Sequence, residues 1–168
     1  MKKTAIVGLL LLLGVFATHT VSAQGAGKKI SIDFNIEEAI KQRRGGDDVS
    51  DYCEMEDGRR RGQRVKGQLL RDNVTMVTAG QEVTWALNVP DSRRKIEIAS
   101  IYFTQKKGRN FFMQRGAEYP TQQADGTWKG KVSPNAQEGD SLKYTMIVKV
   151  GERYFKIDPV VSIGGGGG

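Results

Sequence analysis

Ser141-Leu142-Lys143-Tyr144-Thr145-Met146-Ile147-Val148-Lys149-Val150 sets apolar side chains at Leu142, Tyr144, Met146, Val148 and Val150, with Lys143, Thr145 and Lys149 between them. A period of two marks a strand with one face buried and the other in water. Downstream, Gly151-Glu152 closes a tight hairpin into one or two last strands over Tyr154–Ile163, interrupted at Asp158-Pro159. Upstream the same rhythm recurs. Val74 and Met76 alternate, Ala79-Gly80-Gln81 turns the chain, and Val83, Trp85, Leu87 and Val89 alternate again before Pro90-Asp91-Ser92. Ile96 and Ile98 share one parity while Ile101 and Phe103 share the other, which predicts a bulge near Ala99-Ser100. Phe111-Phe112-Met113 follows a basic turn, and Trp128, Gly130 and Val132 form a short strand after Asp125-Gly126. About 7–9 short strands with frequent turn signals predict an all-β fold, an antiparallel two-sheet sandwich over residues 64–163.

The whole chain has 168 residues, 38% apolar and 27% charged, with 21 Gly and 4 Pro. These proportions suit one ordinary domain and exclude a collagen or a coiled coil. Residues 24–63 read differently from the strands. Ile30, Ile32 and Phe34 alternate as one strand, and Asn35 is placed to cap a helical turn over Ile36–Gln42 that Gly45-Gly46 ends. An acidic block (Asp47, Asp48, Asp51, Glu54, Glu56, Asp57) then meets a basic one (Arg59, Arg60, Arg61, Arg64, Lys66). Neighbouring blocks of opposite sign neutralise each other, so this segment is expected to be charged, solvated and partly ordered. Gly164–Gly168 is a glycine tail with nothing to bury.

Residues 1–23 begin with Lys2 and Lys3, continue through an apolar run from Ala5 to Ala17, and end in Val21-Ser22-Ala23. The run is shorter than a membrane span and its end suits a signal peptidase. This opening resembles the signal peptides of Gram-negative exported proteins, which implies cleavage after Ala23 and a periplasmic or secreted product. Without the leader, 24 basic residues stand against 19 acidic ones. The only histidine, His19, leaves with it.

Gly139-Asp140-Ser141-Leu142-Lys143-Tyr144 resembles the tyrosine corner of immunoglobulin-like domains, where an Asp precedes by four residues a Tyr whose hydroxyl bonds back to its own chain. The resemblance implies that Asp140 and Tyr144 form that structural corner. Val77-Thr78-Ala79-Gly80-Gln81-Glu82-Val83-Thr84-Trp85 is similar to the strand entry of cupredoxin-like sandwiches. Those hold copper through two His and a Cys, and after Ala23 the chain has Cys53 and no His. Copper electron transfer is therefore excluded.

The missing imidazole also removes Ser-His-Asp and Cys-His nucleophilic systems and makes a zinc site improbable. The acidic block does not follow the alternating pattern of a calcium loop. No metal and no cofactor is expected. Cys53, alone in an oxidising compartment, is expected to be buried or inert rather than to link a dimer. A carboxylate-based glycan hydrolase needs no imidazole, but Glu97, Glu118, Asp125, Glu138 and Asp140 suggest solvated or capping roles. One cluster could bind: Lys106, Lys107, Arg109, Phe112 and Arg115, a basic aromatic hairpin suited to an anion or a partner. The expected function is thus a non-enzymatic interaction module with a protein partner in the periplasm. Binding of an envelope polyanion (lipopolysaccharide, anionic lipid or nucleic acid) by the hairpin is the alternative.

Overall fold

Ile30, Ile32 and Phe34 do form a strand, β1 (Lys28–Phe34), with all three side chains at most 1% exposed. Asn35 caps the helix that follows, α1 (Ile36–Gln42), its side-chain oxygen accepting the Glu38 N–H at 3.3 Å. These elements belong to a computed structural model that describes residues 27–58, 65–66, 70, 73–89 and 94–164. The leader at 1–23, the basic block at Arg59–Arg61 and Arg64, the Pro90-Asp91-Ser92 turn and the glycines at 165–168 lie outside the described residues.

The remaining strands are β2 (Cys53–Glu56), β3 (Val65–Lys66), β4 (Val74–Val77), β5 (Glu82–Asn88), β6 (Ile96–Lys107), β7 (Glu118–Gln122), β8 (Trp128–Lys131), β9 (Ser141–Val150), β10 (Arg153–Ile157) and β11 (Val160–Ile163). They build two sheets. Sheet A runs β3-β2-β1-β5-β8-β7. In sheet B, β9 is the spine: β6 follows its whole length on one edge, β10 pairs with its C-terminal half, β11 with its start, and β4 lies outside β11. The sequence expectation of an all-β two-sheet sandwich holds.

Three features depart from the expectation. The sheets are mixed rather than purely antiparallel, because β1 runs parallel to β5 and β4 parallel to β11. Alternation reports which face of a strand is buried and says nothing of its neighbour's direction. One strand was not expected: β2 (Cys53–Glu56) lies inside the charged segment, whereas residues 64–163 hold nine described strands, within the 7–9 expected there. Finally, residue 64 is not where the sandwich begins. β1 sits inside sheet A between β2 and β5, and residues 46–49 lie along β10 through Gly46 N–H to the Tyr154 carbonyl (2.6 Å) and Val49 N–H to the Lys156 carbonyl (2.8 Å). The segment expected to be partly ordered joins both sheets.

The bulge arrives where the parity change placed it. Ile98 pairs with Val148 and Ser100 with Ile147, leaving Ala99 as the extra residue, so Ile98 and Ile101 both reach the core at no more than 2% exposure. In β4 the expected parity is reversed. Thr75 and Val77 are buried while Met76 is 42% exposed, because the Thr75 hydroxyl finds the buried Asp57 carboxylate at 2.9 Å.

The open edge of β6 is closed from the other sheet by side chains. Trp128 Nε1 donates to the Ile98 carbonyl at 3.0 Å and the Tyr119 hydroxyl to the Ile101 carbonyl at 3.3 Å. Pro120 is tolerated in β7 because that strand is the rim of sheet A. It packs on Gly130, where a Cβ would come within 2.9 Å of the Pro120 ring. Between the sheets lies an aromatic centre: Trp85, fully buried, has Phe112 at 5.7 Å, Tyr144 at 6.0 Å and Phe103 at 6.1 Å between ring centroids.

Candidate functional site

The basic hairpin tip becomes a loop at the end of β6, tied down by hydrogen bonds from the Arg109 and Phe112 N–H groups to Asp140 and Asn110. A second irregularity there, with Gln105 opposite Leu142 and Lys107 opposite Ser141, makes Lys106 the extra residue. Gly108 follows at φ +70°, a conformation that side-chain-bearing residues rarely adopt, and a Cβ on it would fall 1.7 Å from Asp140 Oδ1. That carboxylate is 6% exposed. Its Oδ1 accepts the Arg109 N–H at 3.1 Å and its Oδ2 the Gln137 N–H at 3.2 Å, while the Asp140 carbonyl accepts from the Ile163 N–H and the Ser162 hydroxyl. Asp140 therefore ties the loop to β11. Gly108→Ala is expected to cost about 1–3 kcal/mol through the enforced φ and the clash together, read as a drop in Tm with loss of Arg109 amide protection.

Beyond Arg109, Asn110 Oδ1 accepts the Phe112 N–H at 3.1 Å and turns the chain, and the Met113 N–H returns to the Asn110 carbonyl at 3.1 Å. Phe111 and Phe112 point inward and are 0% and 1% exposed. Phe112 stacks on Phe103 at 4.6 Å and 21°. Phe112 was expected among the contact residues, and this is corrected: it is the loop's anchor in the core, unable to touch a ligand. Lys106, Lys107, Arg109 and Arg115 remain exposed, and none has a carboxylate partner among the described residues. Met113 stands among them at 73% exposure. It was missed in the sequence, although three consecutive apolar residues cannot all face one core at a strand's period.

The tyrosine corner is also corrected. The Tyr144 hydroxyl points into the core toward Met55 Sδ, 3.8 Å away and 89 residues distant in sequence, rather than back to its own chain. Asp140 serves the β6 loop instead. Burial raises the Tyr144 phenol far above its ordinary range; Trp85 works in the opposite direction and the Asp57 charge in the same one. The Trp85 indole N–H nevertheless makes no hydrogen bond of acceptable geometry among the described residues.

Cys53 is 1% exposed and its thiol donates to the Val49 carbonyl at 3.4 Å. Burial, followed by the Asp48 and Asp51 charges, pushes this thiol well up. Both groups thus keep their protons in the native state beyond the pH at which the unfolded chain would release them. Their contribution is intact below the ordinary thiol value of about 8.5 and is lost as pH rises, by about 1.4 kcal/mol per pH unit, with a second equal slope above about 10 from the phenol. Denaturant titrations at rising pH should show this alkaline decline, and Cys53→Ala should remove its first limb; a flat profile to pH 10.5 contradicts the burial of both groups.

The carboxylates weighed for hydrolysis have structural occupations. Asp125 Oδ1 accepts both the Thr127 hydroxyl and its N–H, which hold the carboxyl below its ordinary range. Glu97 pairs with Lys95 at 3.0 Å. Glu118 lies at the rim of sheet A and Glu138 on an exposed turn. Among the described residues no group of three His, Cys, Asp or Glu side chains is arranged to hold a metal ion, and no helix is long and apolar enough to cross a membrane.

No protein-family model matches the chain, and no curated protein matches it. Among solved structures, the chain is similar to an inclusion body protein, PixA, from Burkholderia cenocepacia, with a TM-score of 0.50 and 12% sequence identity, covering 86% of this chain and 99% of that one. At that identity the likeness is one of fold.

Proposed function

We propose that the chain is an exported, non-enzymatic binding module of the periplasm or the cell exterior, which docks on an acidic patch of a protein partner through the loop after β6. The observation that carries this reading is Met113, 73% exposed among Lys106, Lys107, Arg109 and Arg115 on a loop fastened from beneath. An apolar anchor inside a polar rim is the common anatomy of a protein-docking patch. Seating one methionine in a pocket contributes about 1.5–3 kcal/mol. The cations set the register and speed encounter with an acidic surface. Phe111, Phe112 and Asp140 hold the loop in advance, which reduces the ordering cost of binding. Export is supported by the Lys2-Lys3 opening, the apolar run and Val21-Ser22-Ala23.

An envelope polyanion bound by the same loop is the second reading, and the four exposed cations, without a carboxylate partner among the described residues, favour it. Chemical crosslinking in the cells that make the protein, followed by mass spectrometry, separates the two. One dominant acidic protein should be recovered from the wild type and lost when all four cations are reversed to Glu. Recovery of no protein, together with retention on an anionic matrix that falls steeply with salt, would transfer the loop to a polyanion.

A further inference from the structure

The side chains that close the edge of β6 stop short of its end, and the geometry points to the remainder as the place where an extended, acidic strand of the protein partner pairs. The Tyr144 N–H donates to the Pro159 carbonyl at 3.0 Å, so by the alternation of an antiparallel ladder the even-numbered residues of β9 turn their backbone groups toward β10 and β11. Their opposite numbers on β6 turn theirs to the outer edge: Ile98 across from Val148, Ile101 from Met146, Phe103 from Tyr144 and Gln105 from Leu142. The first two carbonyls of that row are the ones that Trp128 and Tyr119 occupy. The Phe103 N–H faces the same Tyr119 hydroxyl, where it works against the upward push of burial on that phenol. Beyond it, the Phe103 carbonyl and the Gln105 N–H and carbonyl have no partner among the described residues. Thr104 and Lys106 beside them are exposed.

The chemistry of these three groups selects the occupant. An acceptor, a donor and an acceptor on alternate residues of an extended chain are the complement of a second extended backbone, which supplies both kinds of group at the same repeat. An anionic polymer meets the two carbonyls mainly with acceptor oxygens, which cannot pair with them. Charge sets the composition of the added strand. The edge runs into Lys106, Lys107 and Arg109, none with a carboxylate partner among the described residues, and acidic side chains on the new strand suit them. A second copy of this chain would instead bring the same cations to an edge that already carries them. The proposal rests on the reading that this end of the molecule docks on an acidic protein, and it adds how the partner's main chain is held.

The test titrates the purified protein with a synthetic peptide of four Glu-Val repeats, with the same peptide N-methylated at every residue, and with four Lys-Val repeats. Only the first should bind, and in its presence the Gln105 amide should exchange with solvent roughly tenfold more slowly. Gln105→Pro removes the outward N–H and leaves the ladder to β9 intact, so it should weaken binding roughly tenfold at near-wild-type Tm, through one lost hydrogen bond and a ring in the peptide's path. If that variant unfolds, the N-methylated peptide puts the same question to the unaltered protein. Equal binding of the methylated peptide, indifference to Gln105→Pro in a folded variant, or no binding of the acidic peptide would each overturn the proposal. So would a concentration-dependent dimer that Gln105→Pro abolishes, which would give the edge to a second copy. Crosslinking from Met113 in cells reports on the docking reading separately. An acidic protein adduct that survives Gln105→Pro sinks the added strand alone, and no adduct while the peptide still pairs sinks docking at Met113 alone.

Discussion

A fragment that begins at residue 64 is expected to be unfolded at equilibrium, with no cooperative thermal transition and collapsed amide dispersion, although it contains the longest strands. It lacks β1, α1 and β2, and with them Ile30, Ile32, Phe34, Ile36, Val49 and Met55, each no more than 3% exposed. At about 1.5–3 kcal/mol for each large side chain, this burial amounts to about 10–20 kcal/mol. The total stability of a domain of this size is about 5–15 kcal/mol. The cut also strips β5 of its parallel partner along Lys28–Asp33 and uncovers Trp85 and Val83. A dispersed spectrum from residues 64–163 alone would show that the N-terminal segment is an accessory rather than a layer of the fold.

Trp85→Ala is the largest expected effect of a single change. Trp85 is fully buried and touches the rings of Phe103, Phe112 and Tyr144, which join β6, the candidate loop and β9. Truncating such a ring leaves a cavity that rigid sheets close poorly, and the cost is about 3–5 kcal/mol, or a fall in Tm of roughly 10–20 °C. Because Phe112 is the loop's anchor, binding through Met113 should weaken in the same variant. Trp85→Phe is the control. Among the described residues the indole N–H of Trp85 has no hydrogen-bond partner, so losing it leaves no polar group orphaned there, and most of the stability should be retained. Equal destabilisation by Ala and Phe would mean that the indole nitrogen, rather than ring packing, matters at this position.

What could be read from the chain is what local chemistry decides. Asn35 and the Gly45-Gly46 stop located α1 because capping is a property of a few neighbouring residues. The parity change from Ile98 to Ile101 located the bulge because a strand has only two faces. Long-range matters were hidden. Nothing in Ile30-Ser31-Ile32 announces a parallel partner at Val83–Asn88, more than fifty residues away. The buried Thr75 became intelligible once Asp57 stood beside it, and the spacing of Asp140 and Tyr144 was shared with a corner that this fold does not form. At the loop, the cations were legible and their apolar centre was not: Phe111, Phe112 and Met113 are three similar side chains, and only the Asn110 turn sends two inward and one out.

The central claim is that the Met113 loop is a protein-docking site, and a photo-crosslinking amino acid placed at Met113 in the full chain, in cells, tests it most directly. The account predicts one dominant covalent adduct with an acidic protein, absent when the probe stands at Glu118 on the rim of sheet A and lost when Lys106, Lys107, Arg109 and Arg115 are reversed. The same set of adducts from both positions, or none from Met113, would contradict it.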